Sequence, residues 1–200
     1  VVLPGLDGTG TLLDAFDAAL PASLPVTVVR YPVDQVLGYE ALVEVAGSAL
    51  PEEGPMVLLG ESFSGPVAVM LAAANPKRVA GLILCCSFVH GPRPVLGVLR
   101  WFLHMVPIGW IPKKLMSWGL YGTWNTPALQ RSLGEAVGRV ATRVTRARWI
   151  AALAVDVREQ LAELKMPVLV LSALEDRVVP RGAVKTILKY CPQEQEAVFE

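Results

Sequence analysis

One segment of this 200-residue chain combines a hydroxyl with the small neighbours that can make it reactive: Gly60-Glu61-Ser62-Phe63-Ser64-Gly65. It follows the apolar run Met56–Leu59 and precedes Gly65–Ala74, which is rich in Ala, Val and Leu. A serine on a sharp strand-to-helix turn holds its hydroxyl clear of the backbone. It also sits at the positive end of the helix dipole, where developing negative charge is stabilised. Such a turn needs small residues beside the serine. Gly60 meets that need on one side, whereas Ser64 takes the usual glycine position on the other, with Gly65 next. A plain Ser/Gly turn capping a helix is the bland alternative; the order strand, motif, helix favours a nucleophile at Ser62.

Two further segments follow strand-like runs. Pro4-Gly5-Leu6-Asp7-Gly8-Thr9-Gly10 comes after Val1-Val2-Leu3. Its glycines suggest a phosphate loop, but it has no Gly-Lys-Ser/Thr ending and lacks dinucleotide-fingerprint spacing. In a hydrolase this position supplies an oxyanion donor. The expected backbone N–H groups are those of Leu6 and Phe63, each worth roughly 3 kcal/mol of barrier. A tight strand-to-helix turn is the alternative. Leu174-Glu175-Asp176-Arg177-Val178-Val179-Pro180 follows Val168–Leu171. A carboxylate there would orient a catalytic histidine and stabilise its charged form. Asp176 is the first candidate and Glu175 the second; a turn residue or an ion pair with Arg177 is the competing role for Asp176.

The elements that must position these residues read as alternating strands and helices. Strands are expected at Val1–Leu3, Val26–Tyr31, Met56–Leu59, Ala80–Cys86, Val168–Leu171 and from Glu196, and helices at Leu12–Leu20, Tyr39–Leu50, Gly65–Ala74 and Gly182–Tyr190. Near-continuous apolar strands imply a mostly parallel sheet covered by helices on both faces. Chemistry in such a sheet lies beyond the carboxyl ends of the strands, where all three motifs fall. Residues 91–150 break the rhythm: they hold all five tryptophans and several prolines, and read as a helical insertion. The expected organisation is a core of 1–90 and 151–200 around that insertion.

Together, Pro4–Gly8, Gly60–Gly65 and Asp176–Pro180 resemble the α/β-hydrolase superfamily, in the style of small bacterial carboxylesterases with a helical cap. The resemblance covers nearly the whole chain apart from the insertion. It implies a Ser-Asp-His triad, an acyl-enzyme on Ser62, and neither metal nor organic cofactor. It places the histidine just after the strand that follows the acid. The chain ends at Glu200, and its two histidines, His90 and His104, match that position poorly. We expect both ends to have been trimmed, with the histidine a few residues beyond Glu200 and further strands before Val1. His90 follows the strand ending at Cys86 and is a candidate pocket residue, as are Asp7 and Trp101.

The apolar stretch Leu96–Ile111 suits a lid over an acyl or aromatic ester, or a lid that packs on its own domain. Arg139, Arg143 and Arg146 share a helical face, with Arg131, Arg148 and Arg158 nearby in sequence. They form a solvated basic face or, less expectedly, a dock for an acyl carrier protein or a substrate carboxylate. The balance of 18 basic and 18 acidic residues argues against a nucleic-acid partner. Val95–Ile111 is short and interrupted for a membrane span. Three cysteines without framework spacing point to a reducing cytoplasm. The expected function is hydrolysis of small carboxylic esters. Acyl transfer through the same serine and a non-catalytic ligand-binding module remain as alternatives. Dehalogenase and epoxide hydrolase chemistries are disfavoured because they use an aspartate where this motif has Ser62.

Overall fold

Short aliphatic and β-branched runs form most of the strands here. A computed structural model of the chain describes residues 1–91, 113–191 and 194–199. Five strands, β1 (Val2–Leu3), β2 (Met56–Glu61), β3 (Val79–Cys85), β4 (Val168–Ala173) and β5 (Glu194–Phe199), lie side by side in that order. Every neighbouring pair is parallel. Parallel pairing requires a crossover between strands, and the intervening helices supply it. The result is a parallel sheet flanked by helices. The register sets Glu61 against Cys85 and Cys85 against Leu171, so the ends of β2, β3 and β4 meet at one edge.

Helix α1 spans Asp14–Ala19 after a 3₁₀ turn at Thr11–Leu13. Helix α2 is Tyr39–Gly47, α3 is Gly65–Ala74, α7 is Arg158–Glu163 and α8 is Arg181–Tyr190. Helix α3 packs on β2 and β3 and is flanked by α2 and α7, while α8 packs on α7 and β4. Leu58, Leu71, Leu82, Leu84, Leu161 and Ile187 are buried in this layer. Full burial of such side chains contributes roughly 2 kcal/mol each before chain entropy is counted. Helix α3 is apolar on nearly every side, as its position between sheet and helices requires. Among the described residues the other face of the sheet is covered less completely. Strands β2 and β4 alternate between buried and more exposed positions, and Val57 is 46% exposed.

The run Val26–Tyr31 does not form the expected strand. It contributes a single parallel bridge, Val28 to Val2, bracketed by Val2 N–H to Thr27 O (2.8 Å) and Val29 N–H to Val2 O (2.9 Å). The reason is geometric: β1 offers only two residues, and Tyr31 N–H turns to Gly8 O (2.8 Å). Strand β3 stops at Cys85, one residue before the expected end, because Cys86 is left-handed, with φ 45°.

Between β3 and α7 lie three described helices, α4 (Lys113–Tyr121), α5 (Pro127–Gly138) and α6 (Thr142–Ala154). Thr126 caps α5 by accepting from Leu129 N–H, and Pro127 occupies the first turn. The chain leaves and re-enters the core through a short antiparallel neck. There Val157 N–H donates to Val89 O (2.8 Å), Gly91 N–H donates to Val155 O (2.9 Å), and His90 bridges Asp156. Helix α6 runs to Ala154, past the expected boundary at 150. The apolar stretch to Ile111, with Trp101 and His104, lies outside the described residues. Among the described residues no helix is long and apolar enough to cross a membrane.

Candidate active site

Ser62 stands where β2 gives way to α3. Its φ is 47°, a left-handed conformation that costs a residue with a Cβ about 1–2 kcal/mol. The turn closes because its neighbours are small. A Cβ on Gly60 would lie 2.8 Å from Ser64 O and 2.9 Å from Ala68 Cβ, and one on Gly65 would overlap the Ser87 hydroxyl. The serine at position 64 has its own task. It is fully buried, its hydroxyl donates to Pro4 O, and it shares a 2.8 Å hydrogen bond with the Tyr31 hydroxyl. The departure from the usual motif therefore ties the turn to the loop after β1. Ser87 Oγ donates to Ser62 O at 2.6 Å, and Tyr39 stacks on Phe63 (4.9 Å between ring centres) while donating to Phe63 O at 3.1 Å.

The Leu6 loop is held on both sides. Gly5 N–H donates to Glu61 Oε2 at 3.1 Å. Arg148 Nη1 donates to Leu6 O (2.9 Å) and Asp7 O (2.7 Å), and its Nη2 donates to Pro32 O (2.9 Å). Arg148 comes from α6 and is 2% exposed. Among the described residues it forms no ion pair. Burial lowers its pKa, an effect opposed by the nearby Asp7 carboxylate, and its guanidinium sits 5.6 Å from the Tyr31 ring centre. Grouping Arg148 with a solvated basic face is thus corrected: its planar fork binds backbone carbonyls inside the protein. Helical periodicity separates it from Arg143, which lies about 140° away around the same helix, is exposed, and reaches Asp34 O at 2.8 Å; Arg148 falls instead on the buried face of Val144 and Ala152.

Asp7 uses its carboxylate locally, accepting from the Thr9 N–H (2.8 Å) and hydroxyl. Asp176 follows β4, is partly buried, and accepts from Val178 N–H and Val179 N–H, both at 2.8 Å; Glu175 is exposed. Arg177 lies with its guanidinium 4.3 Å from the Trp118 ring centre, so α4 docks on this loop. His90 lies at the neck; its buried Nδ1 has no hydrogen-bond partner among the described residues, and it helps hold the Asp156 carboxyl low after the larger effect of Arg158.

Three groups that the motifs did not single out gather here. Glu61, beside the serine, has its carboxyl pushed up to about 7 by burial and by Asp7, against the opposing Gly5 N–H. Tyr121, at the end of α4, is raised by burial and then by Glu61 and Asp7. Cys85 and Cys86 both sense Glu61 and Asp176. A buried glutamate flanking the motif serine was the one legible signal; the others depend on how the insertion and β3 fold back.

The model of the family described as "serine aminopeptidase, S33" matches residues 34–199. The chain is 34% identical over 111 residues to phytyl ester synthase 1, chloroplastic, of Arabidopsis thaliana; the match covers 52% of this chain and 16% of that protein's length. Among solved structures it is similar to an enol-lactonase from Burkholderia xenovorans LB400 (TM-score 0.82, 18% identity, 100% of this chain and 82% of that one). It is also similar to an esterase from Exiguobacterium antarcticum (TM-score 0.81, 15% identity, 100% and 82%). At those identities the structures speak to fold alone, and they agree with the parallel sheet and its crossovers. With a family match that takes in four of the five strands, the chain belongs to the serine aminopeptidase S33 family of α/β hydrolases.

Proposed function

We propose that this protein is a serine hydrolase of carboxylic esters, acting through an acyl-enzyme on Ser62. The observation that carries the reading is the left-handed Ser62 between β2 and α3, a strained conformation kept by close packing at Gly60 and Gly65. Ser62 Oγ attacks the ester carbonyl, and backbone N–H groups of Leu6 and Phe63 receive the developing oxyanion. Asp176 orients a histidine that takes the serine proton and returns it to the leaving alcohol; water then releases the acid. Helices α4–α6 act as a cap, with Tyr121 and Asp7 at the pocket wall and Trp101 and His90 as further lining candidates. Apolar acyl or aromatic esters are the substrate class.

The similarity to a phytyl ester synthase favours a second reading, acyl transfer from the same Ser62 intermediate to an alcohol. The two differ only in the acceptor. The test uses full-length protein with a fluorophosphonate and with p-nitrophenyl esters of graded chain length. We expect one adduct per chain, mapped to Ser62, and a fall in ester turnover of at least about 10³-fold in Ser62→Ala. Added long-chain alcohol that diverts product from acid to ester assigns transfer. An unlabelled Ser62 in folded protein would sink both readings in favour of a binding module.

A further inference from the structure

Cys85 and Cys86 adjoin the Ser62 turn without a part in the chemistry above. Successive residues of a strand point to opposite faces, so neighbouring cysteines ordinarily keep their sulfurs apart. Here the alternation fails. Strand β3 ends at Cys85, and Cys86 is left-handed (φ 45°), its N–H donating to Leu171 O at 2.8 Å. Apart from Ser62, it is the one other non-glycine residue with positive φ among the described residues.

The turn brings both sulfurs to one side. Cys85 is in register with Glu61 on β2 and with Leu171 on β4, and both thiols lie within the fields of Glu61 and Asp176. The Cys85 thiol donates toward the Cys86 sulfur, which also accepts from Ala173 N–H. That arrangement holds Cys86 below an ordinary thiol, whereas Cys85 is raised by the same bond and by burial. Both cysteines are free and partly exposed, unlike the buried Cys191.

We propose that Cys85 and Cys86 form a vicinal dithiol site at the edge of the active site, which binds trivalent arsenicals and closes reversibly to a disulfide under low-molecular-weight disulfides. The Cys86 thiolate attacks one sulfur of the oxidant, forming a mixed disulfide and releasing one thiolate. Cys85 then attacks the Cys86 sulfur, its proton passing to the second departing thiolate. The protein pair loses two electrons and two protons, and the oxidant leaves as two thiols. Closure takes the Cys86 sulfur from Ala173, in the strand leading to Asp176, and pulls on Ser87, whose hydroxyl holds Ser62 O. The consequence for Ser62 rests on the serine-hydrolase reading; the thiol chemistry does not.

Full-length reduced protein is treated with oxidised glutathione, and separately with phenylarsine oxide, and followed by intact-mass and peptide mass spectrometry. The expected product of oxidation has lost two hydrogens, localised to the Cys85–Cys86 peptide, and dithiothreitol reverses the loss. One arsenical should bridge the pair in each chain. Both products should vanish in Cys86→Ser and persist in Cys191→Ser. Stable glutathione adducts on separate cysteines, or an arsenical that spares this pair, would overturn the site. In the same samples fluorophosphonate labelling of Ser62 should fall at least fivefold on oxidation and return on reduction. Unchanged labelling of the closed form overturns the link to Ser62. Absence of labelling in reduced protein counts against the hydrolase reading, while the mass result still decides the dithiol.

Discussion

The Ser62 turn depends on a few atoms packed around a left-handed residue, and that packing is testable at single positions. A methyl group on Gly65 has no room beside the Ser87 hydroxyl and lies 3.1 Å from Phe88 O. Gly65→Ala should therefore lower stability by about 1–3 kcal/mol and shift the urea midpoint accordingly. Removing the obstructing side chain in Gly65→Ala/Ser87→Gly should recover part of that loss, so that the two changes are non-additive in a double-mutant cycle. Strict additivity would mean that the contact does not govern the turn. Ser87→Gly alone has a different cost, because it removes the 2.6 Å bond to Ser62 O. That loss should reduce serine labelling more than it reduces stability.

At the scale of elements, one buried side chain ties α6 to the core. Arg148 of α6 donates to three carbonyls of two core loops, two of them on the peptides just after the expected oxyanion donor, Leu6 N–H. Truncation in Arg148→Met leaves those carbonyls buried without donors, at about 1–3 kcal/mol, and frees the Leu6 peptide to rotate. The expected outcome is a kcat lowered by up to about 10²-fold with KM nearly unchanged, the signature of lost transition-state stabilisation. Arg148→Lys should recover only part, since an ammonium lacks the planar fork. A change confined to KM would mean that Arg148 shapes the pocket and leaves oxyanion geometry alone. Arg148 also shows what sequence reading missed. Strands and helices were largely legible because apolar runs and breakers are local, and the sharp turn at Ser62 was legible because its neighbours in the chain are its neighbours in the turn. Helical spacing sets Arg148 on the face of Val144 and Ala152, away from Arg143, but which carbonyls that face meets is written more than a hundred residues away in the Leu6 and Pro32 loops. Val26–Tyr31 failed as a strand for a related reason: its β-branched residues promise pairing, but its partner β1 is two residues long.

For the whole molecule, the buried Glu61 couples stability to pH. Its carboxyl is raised from 4.5 to about 7, chiefly by burial and then by Asp7, with the Gly5 N–H bond working the other way. Between those values the folded state holds a proton that the unfolded chain has released, so folding weakens as pH rises. The stabilisation from the protonated acid is complete below about pH 4.5 and is lost as pH passes 7. At about 1.4 kcal/mol per unit, the change is on the order of 3–4 kcal/mol. Asp156 works in the opposite sense at lower pH: Arg158 depresses its carboxyl, so its contribution is lost as pH falls. That pair is solvent-exposed and screened, and its effect is correspondingly small. Urea denaturation from pH 5 to 8 should therefore show a decline in stability through the window for the unaltered protein. Glu61→Gln, which keeps the shape and removes the titration, should flatten it. The same variant separates two roles for the residue. An amide can present its carbonyl oxygen to Gly5 N–H, so the Leu6 loop should stay placed and Ser62 should still react with fluorophosphonate. If labelling collapses in a stably folded Glu61→Gln, the ionisable carboxyl itself is needed at the site, and the steep pH dependence belongs to the chemistry as well as to the fold.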